Sequence, residues 1–339
     1  MGEGFESGVL DASSVEEYGR ILRRLWNIDF VQLSASRFRY RARFVATPRL
    51  TIYKERCNTP LHYRGETASG LVAFLLPTSS RLPCSLWGHH SVRGWSLPYQ
   101  TVAGELDATS GEDYSNVVLL FAADFLDATA RRCGHDFEAG RLGGQGFLAA
   151  DPGQSLQLRR TVSRAMTADP QRRAVSWPNV ELAEDELADA LLAAISPPRR
   201  VVSDPVMTGA RRLEAFRACM EFAYENDFCV SIPELCAAAG TSRRALEYAF
   251  REHLDVSPAR YLRLCRYRRV LTALAGSTAR EDTVTRIATE WGFSDLGRFA
   301  SEYRRLFGEK PSETLRRSPA DVRRLPRPNA ATGRPEAGL

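Results

Sequence analysis

Five histidines and seven cysteines are the side chains of this 339-residue chain best suited to hold a metal or act as nucleophiles. His62, His89 and His90, with Glu66 and Glu105, offer imidazole and carboxylate, ordinary ligands for divalent metals. Adjacent histidines on a strand point to opposite faces, however, and no His-x-His pair is present, so the spacing argues against a shared ion. Cys84, ahead of Trp87 and His89, has the elements of a thiol with a base, but a set of this size produces such pairs by chance. The cysteines (57, 84, 133, 219, 229, 236 and 265) are odd in number and lack Cys-x-x-Cys spacing, so free thiols are expected rather than a disulfide framework or a zinc ribbon. Oxidant sensing through Cys219, Cys229 and Cys236 is a third chemistry the sequence allows. The glycine-rich stretch AGRLGGQGFLAADPG, 139–153, has no Gly-Lys-Ser/Thr and reads as a loop, not a phosphate cradle.

Arginine is the abundant reactive surface group. Only Lys54 and Lys310 accompany 44 arginines, and a guanidinium, unlike an ammonium, can pair in bidentate fashion with phosphate or a guanine edge. The net charge of +5 lies mostly in the C-terminal half, where 211–317 holds 19 basic against 15 acidic residues. An excess of that size is also what an ordinary solvated surface carries.

Their spacing is more informative than their number. LCAAAGTSRRALEYAFREHLDVSPARYLR, 235–263, has a counterpart in IATEWGFSDLGRFASEYRRLFGEKPSETLRR, 287–317. Leu235 matches Ile287, Gly240 matches Gly292 and Ser242 matches Ser294 at an offset of 52, whereas Leu246 with Phe299, Phe250 with Tyr303 and Pro258 with Pro311 are 53 apart. One residue inserted just beyond the turn accounts for the change. In each copy a short apolar helix (Ile232 to Ala239; Val284 to Trp291) ends at a glycine able to take positive φ, and a serine is placed to cap the next helix. That second helix has an apolar stripe on one side: Ala245, Leu246, Ala249 and Phe250, then Phe299, Tyr303, Leu306 and Phe307. Left facing out are Arg243, Arg244, Glu247 and Tyr248 in the first copy, and Asp295, Leu296, Gly297, Arg298 and Ser301 in the second, with Arg304 beyond them. The segment between the copies reads as one helix, about 26 Å long from Pro258 to Leu274 at 1.5 Å per residue. Such a spacer suits two helices set about one DNA turn, roughly 34 Å, apart. Arg260, Arg263, Arg266, Arg268 and Arg269 on it are phosphate-contact candidates, and a solvated face explains most of them equally well.

Ile287, Ala288, Gly292, Phe293, Phe299, Tyr303, Arg304, Phe307, Gly308 and Pro311 carry a resemblance to the DNA-binding domain of the AraC/XylS family of bacterial transcription regulators. It covers about the last hundred residues before the tail. The resemblance implies two helix-turn-helix units that insert their second helices into successive major-groove segments of double-stranded DNA. Ser242, Arg243, Arg244, Glu247 and Tyr248, and Ser294, Leu296, Gly297, Arg298, Ser301 and Arg304, fall at the DNA-contacting positions. Tyr303 stands where phenylalanine is usual, Gly297 gives the surface no side chain, and Glu247 sets an acceptor among donors.

The remainder must position or regulate that module. Around Ser13 and Ser14 a short helix begins, with Val15, Tyr18, Ile21, Leu22 and Leu25 on one face. From 29 to 125 short β-favouring runs follow, such as RFRYRARFVA with its apolar-arginine alternation, and these suggest a sandwich or barrel. The fold class expected is therefore α+β: a β-rich, cupin-like barrel as family sensor domains often are, with flanking helices, and an all-α C-terminal domain. The domains expected are 1–200 for effector binding and dimerisation, a 201–210 linker, 211–317 for DNA binding and a disordered tail at 318–339. Trp87, Trp95, Tyr99 and Phe74 are candidates to line an effector pocket, and the 181–195 helix, through Leu187 and Leu191, either pairs two copies or packs on its own barrel.

The partners implied are DNA, a small-molecule effector, RNA polymerase for an activator and a second copy of the chain, with no cofactor or metal. No apolar run reaches the 18 to 20 residues of a span and the amino terminus lacks a signal pattern, so a cytoplasmic, non-enzymatic regulator is expected. The competing reading is an enzyme or metal-dependent barrel that carries a DNA-binding module. A methyl-accepting repair protein would need Pro-Cys-His-Arg, which none of the seven cysteines provides.

Overall fold

A computed structural model describes residues 5–23, 25–77, 86–87, 90–91, 96–101, 104–167, 177–195, 210–277 and 282–317. The N-terminal half alternates short strands with few helices: β1 (Glu6–Ala12), α1 (Val15–Leu22), β2 (Trp26–Gln32), β3 (Tyr40–Ala46), β4 (Leu50–Cys57), β5 (Leu61–Thr67), β6 (Leu71–Pro77), β7 (Leu86–Trp87), β8 (His90–Ser91), β9 (Ser96–Thr101), β10 (Leu106–Thr109), β11 (Tyr114–Ala122), α2 (Ala123–Cys133), β12 (Gln145–Ala149), α3 (Pro152–Ala165) and α4 (Val180–Ile195). Two sheets result, with strand orders β1-β3-β4-β11-β6-β9-β12 and β2-β5-β10-β7-β8.

Period-2 alternation decides what each sheet face meets. On the larger sheet Leu119 pairs with Ile52 and Phe74, and these three turn to the side that α2, α3 and α4 cover. One residue earlier Val118 pairs with Tyr53, and one later Leu120 pairs with Ala73; these face the inter-sheet core with Trp26, Phe30, Leu61 and Trp87. Each large apolar side chain so buried contributes about 1.5 to 3 kcal/mol over its exposed state. Ser14 caps α1, its hydroxyl accepting from Glu17 N at 3.1 Å, and Tyr18 and Ile21 enter the inter-sheet core.

The structure decides some expectations left open and corrects others. Leu187 and Leu191 are 1% and 0% exposed because α4 lies on α3 and the chain's own sheet, so that face is not available to a second copy. A buried carboxylate fixes α4 there: Glu184 accepts from Arg49 Nε at 2.7 Å and from the Thr47 hydroxyl, while the Arg49 guanidinium lies 4.4 Å from the centre of the Phe125 ring. The glycine-rich 139–153 stretch contains β12, not only loop, and Gly146 is needed there since a Cβ would lie 2.7 Å from the Tyr99 hydroxyl. Phe74 and Tyr99 are cross-strand partners in the helix-covered core, whereas Trp87 sits between the sheets, so these three do not line one pocket. Cys84, His89, Trp95, residues 201–209 of the expected linker and the 318–339 tail lie outside the described residues, and residue 210 already begins a helix.

The inter-sheet core is polar at its centre. The Tyr40 hydroxyl donates to Glu55 Oε2 at 3.0 Å and Asn116 Nδ2 to Oε1 at 3.0 Å; Tyr63 shares hydrogen bonds with Tyr114 at 2.9 Å and Tyr18 at 3.3 Å. Burial pushes the Glu55 carboxyl up to about 7, against the hydrogen bonds from Tyr40, Tyr114 and Asn116 that lower it. The folded chain thus keeps a proton that the unfolded chain releases above the ordinary glutamate range, and stability falls as pH rises between about 4.5 and about 7.

The C-terminal half is wholly helical among the described residues: α5 (Ala210–Glu225), α6 (Ile232–Ala238), α7 (Arg243–Leu254), α8 (Pro258–Gly276), α9 (Val284–Glu290), α10 (Leu296–Phe307) and α11 (Pro311–Arg316). They share one core, in which Phe216, Phe250, Tyr261, Tyr267, Phe299 and Tyr303 are buried. From the position of Glu55, Glu55→Gln is predicted to flatten the pH dependence of melting across that window, removing up to about 1.4 kcal/mol per pH unit. Parallel melting curves for both proteins between pH 5 and 8 would contradict the assignment.

Candidate nucleic-acid interface

The first unit is α6, a turn and α7. Ser231 and Glu234 close a capping box at the start of α6, the chain reverses at Gly240 with φ 56°, and the Ser242 hydroxyl caps α7 by accepting from Ala245 N at 3.3 Å. Leu246, Ala249, Phe250 and Leu254 hold α7 to the core, which leaves Arg243, Arg244 and Tyr248 exposed and Glu247 half-buried. Arg244 Nη2 donates to the Tyr248 hydroxyl at 3.4 Å, so two groups of the outward face already lie together. Arg243, Arg244, Glu247, Tyr248 and Arg251 line a shallow surface depression there.

The second unit, α9 to α10, repeats the plan with one change. Thr283 caps α9, Gly292 has φ 77°, and the cap of α10 is Asp295, accepting from Arg298 N at 2.9 Å, not Ser294. Gly240 and Ser242 are therefore two apart, while Gly292 and Asp295 are three apart, and the inserted residue sits inside the turn. The turn also contributes Phe293 to the core, its ring 4.5 Å from Tyr267 and 4.9 Å from Phe299. Gly297, Arg298, Ser301 and Arg304 are exposed as expected, but Leu296 is half-buried against the core and presents less surface than its position suggests. A Cβ at Gly297 would meet only Asp295 Oδ1 at 3.6 Å, so that part of the face is open. The Tyr303 hydroxyl is paired with Thr314 Oγ1 at 2.9 Å, which ties α10 to α11 and gives the phenol a role phenylalanine would lack.

Between the units runs α8, 19 residues and about 28 Å long. Its arginines are less free than a solvated face would leave them. Arg268 Nε donates to Phe30 O at 3.3 Å and lies 4.0 Å from Asp29, Arg269 approaches Asp29 at 3.4 Å, and Arg263 pairs with Glu302 at 3.1 Å. Burial lowers the pKa of the Arg268 guanidinium, with Asp29 opposing.

These contacts reveal a group of residues to which sequence reasoning gave no role. Strand β2 docks on α8, and Val31 and Leu33 join the helical core. Gln32 Nε2 donates to Leu306 O in α10 at 3.3 Å, the Arg64 guanidinium lies 4.3 Å from the centre of the Tyr224 ring in α5, and Arg317 pairs with Glu16 of α1. His62, a metal candidate, shares hydrogen bonds with Tyr261 at 2.7 Å and Asp107 at 3.2 Å, while Glu105 pairs with Arg64 at 2.8 Å. Among the described residues no group of three or more His, Cys, Asp or Glu is placed to hold a metal ion. The available signal was the alternation that sets Val31, and Leu33 just beyond β2, on the face away from Phe30.

Two helix-turn-helix units with similar turns, fixed to one central helix, are the architecture of a double helix-turn-helix domain. Residues 235–317 match the family model described as a helix-turn-helix domain. The chain is 28% identical over 232 residues to the "Probable thc operon regulatory protein" of Rhodococcus erythropolis, covering 67% of this chain and 65% of that protein. It is 35% identical over 109 residues to a "XylDLEGF operon transcriptional activator" of Pseudomonas putida, covering 32% and 34%. Among solved structures it is similar to the AraC-like activator CuxR, at 11% identity and TM-score 0.40 over 78% of this chain and 95% of that one. The similarity to operon regulators is thus strongest over residues 235–317, the helix-turn-helix domain. No helix among the described residues is long and apolar enough to cross a membrane.

The cap assignment yields a prediction: Asp295→Ala should destabilise the helical half by about 1 kcal/mol, whereas Ser294→Ala should cost less than about 0.5 kcal/mol. Denaturant midpoints of the two variants would distinguish them, and the reverse order would return the cap to Ser294.

Proposed function

We propose that the protein is a sequence-specific transcription regulator whose β-rich half, residues 1–200, receives a small-molecule effector and whose residues 211–317 read DNA. The observation that carries this reading is the pair of outward helix faces, α7 and α10, held in fixed relation by α8 while β2 of the other half docks on that same helix. Arg243, Arg244, Glu247 and Tyr248 in the first unit, and Gly297, Arg298, Ser301 and Arg304 in the second, are the proposed groove residues, with Ser242 at the phosphate-facing end of α7. Arginine can pair with guanine O6 and N7, and Glu247 can accept from cytosine N4. Leu296 offers at most its outer edge, and Ser294 lies outside the helix it was expected to cap.

Operon control by the curated relatives supports transcription activation as the role and RNA polymerase as a further partner. A second copy would have to pair through surfaces other than the Leu187 and Leu191 face, which the chain's own core occupies. The regulator reading places the protein in the cytoplasm and gives it no reaction of its own. An enzyme bearing a DNA-binding module would instead turn over a substrate without regard to operator DNA.

Genome-wide binding with and without candidate metabolites tests the reading, which fails if occupancy shows no sequence preference. Within it, Arg244→Ala should cost about 1 to 3 kcal/mol of discrimination between operator and mixed-sequence DNA, as one good base pair contact is worth that much. An equal loss on both DNAs would remove Arg244 from base reading.

A further inference from the structure

The carboxylate of Glu302 joins the outward face of α10 to α8. Glu302 lies one helical turn beyond Arg298, and its side chain is only 17% exposed whereas that of Arg298 is 62% exposed. Glu302 Oε2 accepts from the Tyr267 hydroxyl at 3.0 Å and pairs with Arg263 Nε at 3.1 Å, both from α8. The other oxygen, Oε1, faces Arg298 Nε at 3.6 Å. Burial, then Glu302 itself, pushes the Tyr267 phenol above its ordinary range, so it stays a donor. Arg260 belongs to the same field: burial lowers its pKa, Glu302 opposes that, and Arg305 and Arg263 add to the lowering. One acid thus stands among arginines of two helices, beside the exposed one that points toward the proposed groove.

An acid at a DNA-binding face repels phosphate and so lowers affinity for DNA of any sequence. Its compensating effect is geometric. Glu302 is held on α8 by Tyr267 and Arg263, and its Oε1 approaches Arg298 at Nε on a side chain that stays largely exposed. A guanidinium approached at Nε retains its two terminal nitrogens for bidentate pairing with guanine O6 and N7.

We propose that Glu302 is a positioning residue that exchanges general DNA affinity for sequence discrimination, by orienting Arg298 for base reading from an anchor on α8. The proposal rests on the reading that α10 enters the major groove. Removing the charge therefore moves two quantities in opposite directions, which a merely structural glutamate would not do.

The test uses the full chain and a random-sequence duplex pool, from which bound fragments are selected and sequenced, followed by competition titrations of the selected site against mixed-sequence DNA. Glu302→Gln is expected to raise mixed-sequence affinity about 2-fold to 5-fold at low salt and to lower discrimination at one base pair by about 10-fold. Glu302→Asp, which keeps the charge, should retain most of that discrimination. Arg298→Ala should abolish preference at the same base pair, and the double variant should match Arg298→Ala alone. Thermal melting confirms that each variant is folded. Unchanged base preference in Glu302→Gln, or additive losses in the double variant, would overturn the positioning role. Selection of a site by the native chain with no altered preference in Arg298→Ala would show instead that Arg298 does not read a base, and the proposal would fall with that reading.

Discussion

Burial of α8 on nearly every side is the constraint from which the arrangement of the DNA-reading half follows. Tyr261, Tyr267, Val270 and Leu274 are fully enclosed, and the two tyrosines divide the helix between the units. Tyr261 packs with Phe250 at 5.7 Å and Phe228 at 6.5 Å on the first side, and Tyr267 stacks on Phe299 at 5.6 Å and meets Phe293 at 4.5 Å on the second. A close-packed aromatic core does not deform continuously, so α7 and α10 are set in rotation and separation by the same rigid member. The capped, short turns at Gly240 and Gly292 then fix each face relative to its own unit.

The same helix carries the contact with the β-rich half. Asp29 faces two α8 arginines, His62 meets Tyr261, and Val31 and Leu33 complete the helical core. A ligand that changed the position of β2 would therefore act on α8 directly, and on α10 through Gln32 and Leu306 O. Coupling of this sort needs no long chain of intermediates, because the strand and the spacer are in van der Waals contact.

Local patterns were legible in the sequence wherever the chain's own period decides the outcome. The 52/53 repeat exposed both units and the stripe of Phe299, Tyr303 and Leu306, because an apolar face at helical spacing has one place to go. The change of offset was visible too, but not its place: only the packed turn shows that Phe293 moves into the core and transfers the cap to Asp295. Leu187 and Leu191 read equally as a pairing face or a packed one, since amphipathicity marks a buried face without naming what buries it. The contacts of Asp29, His62 and Arg268 could not have been found, as their partners lie 45 to 240 residues away and no local spacing encodes such a meeting. Glu302 looked like one more surface acid until Tyr267 and Arg263 were seen to hold it.

The central claim is that one rigid spacer sets two recognition helices on one face of the duplex. Insertion of base pairs between the two sub-sites of a selected operator measures this most directly, by titration of the full chain. Five inserted base pairs turn the second sub-site to the opposite face of the helix and ten restore the face but lengthen the gap by about one turn, roughly 34 Å. A rigid reader loses two-site affinity in both cases and falls to that of a single sub-site. Full affinity for the ten-base-pair insert would contradict a spacer of fixed length, and full affinity for the five-base-pair insert would contradict a fixed orientation.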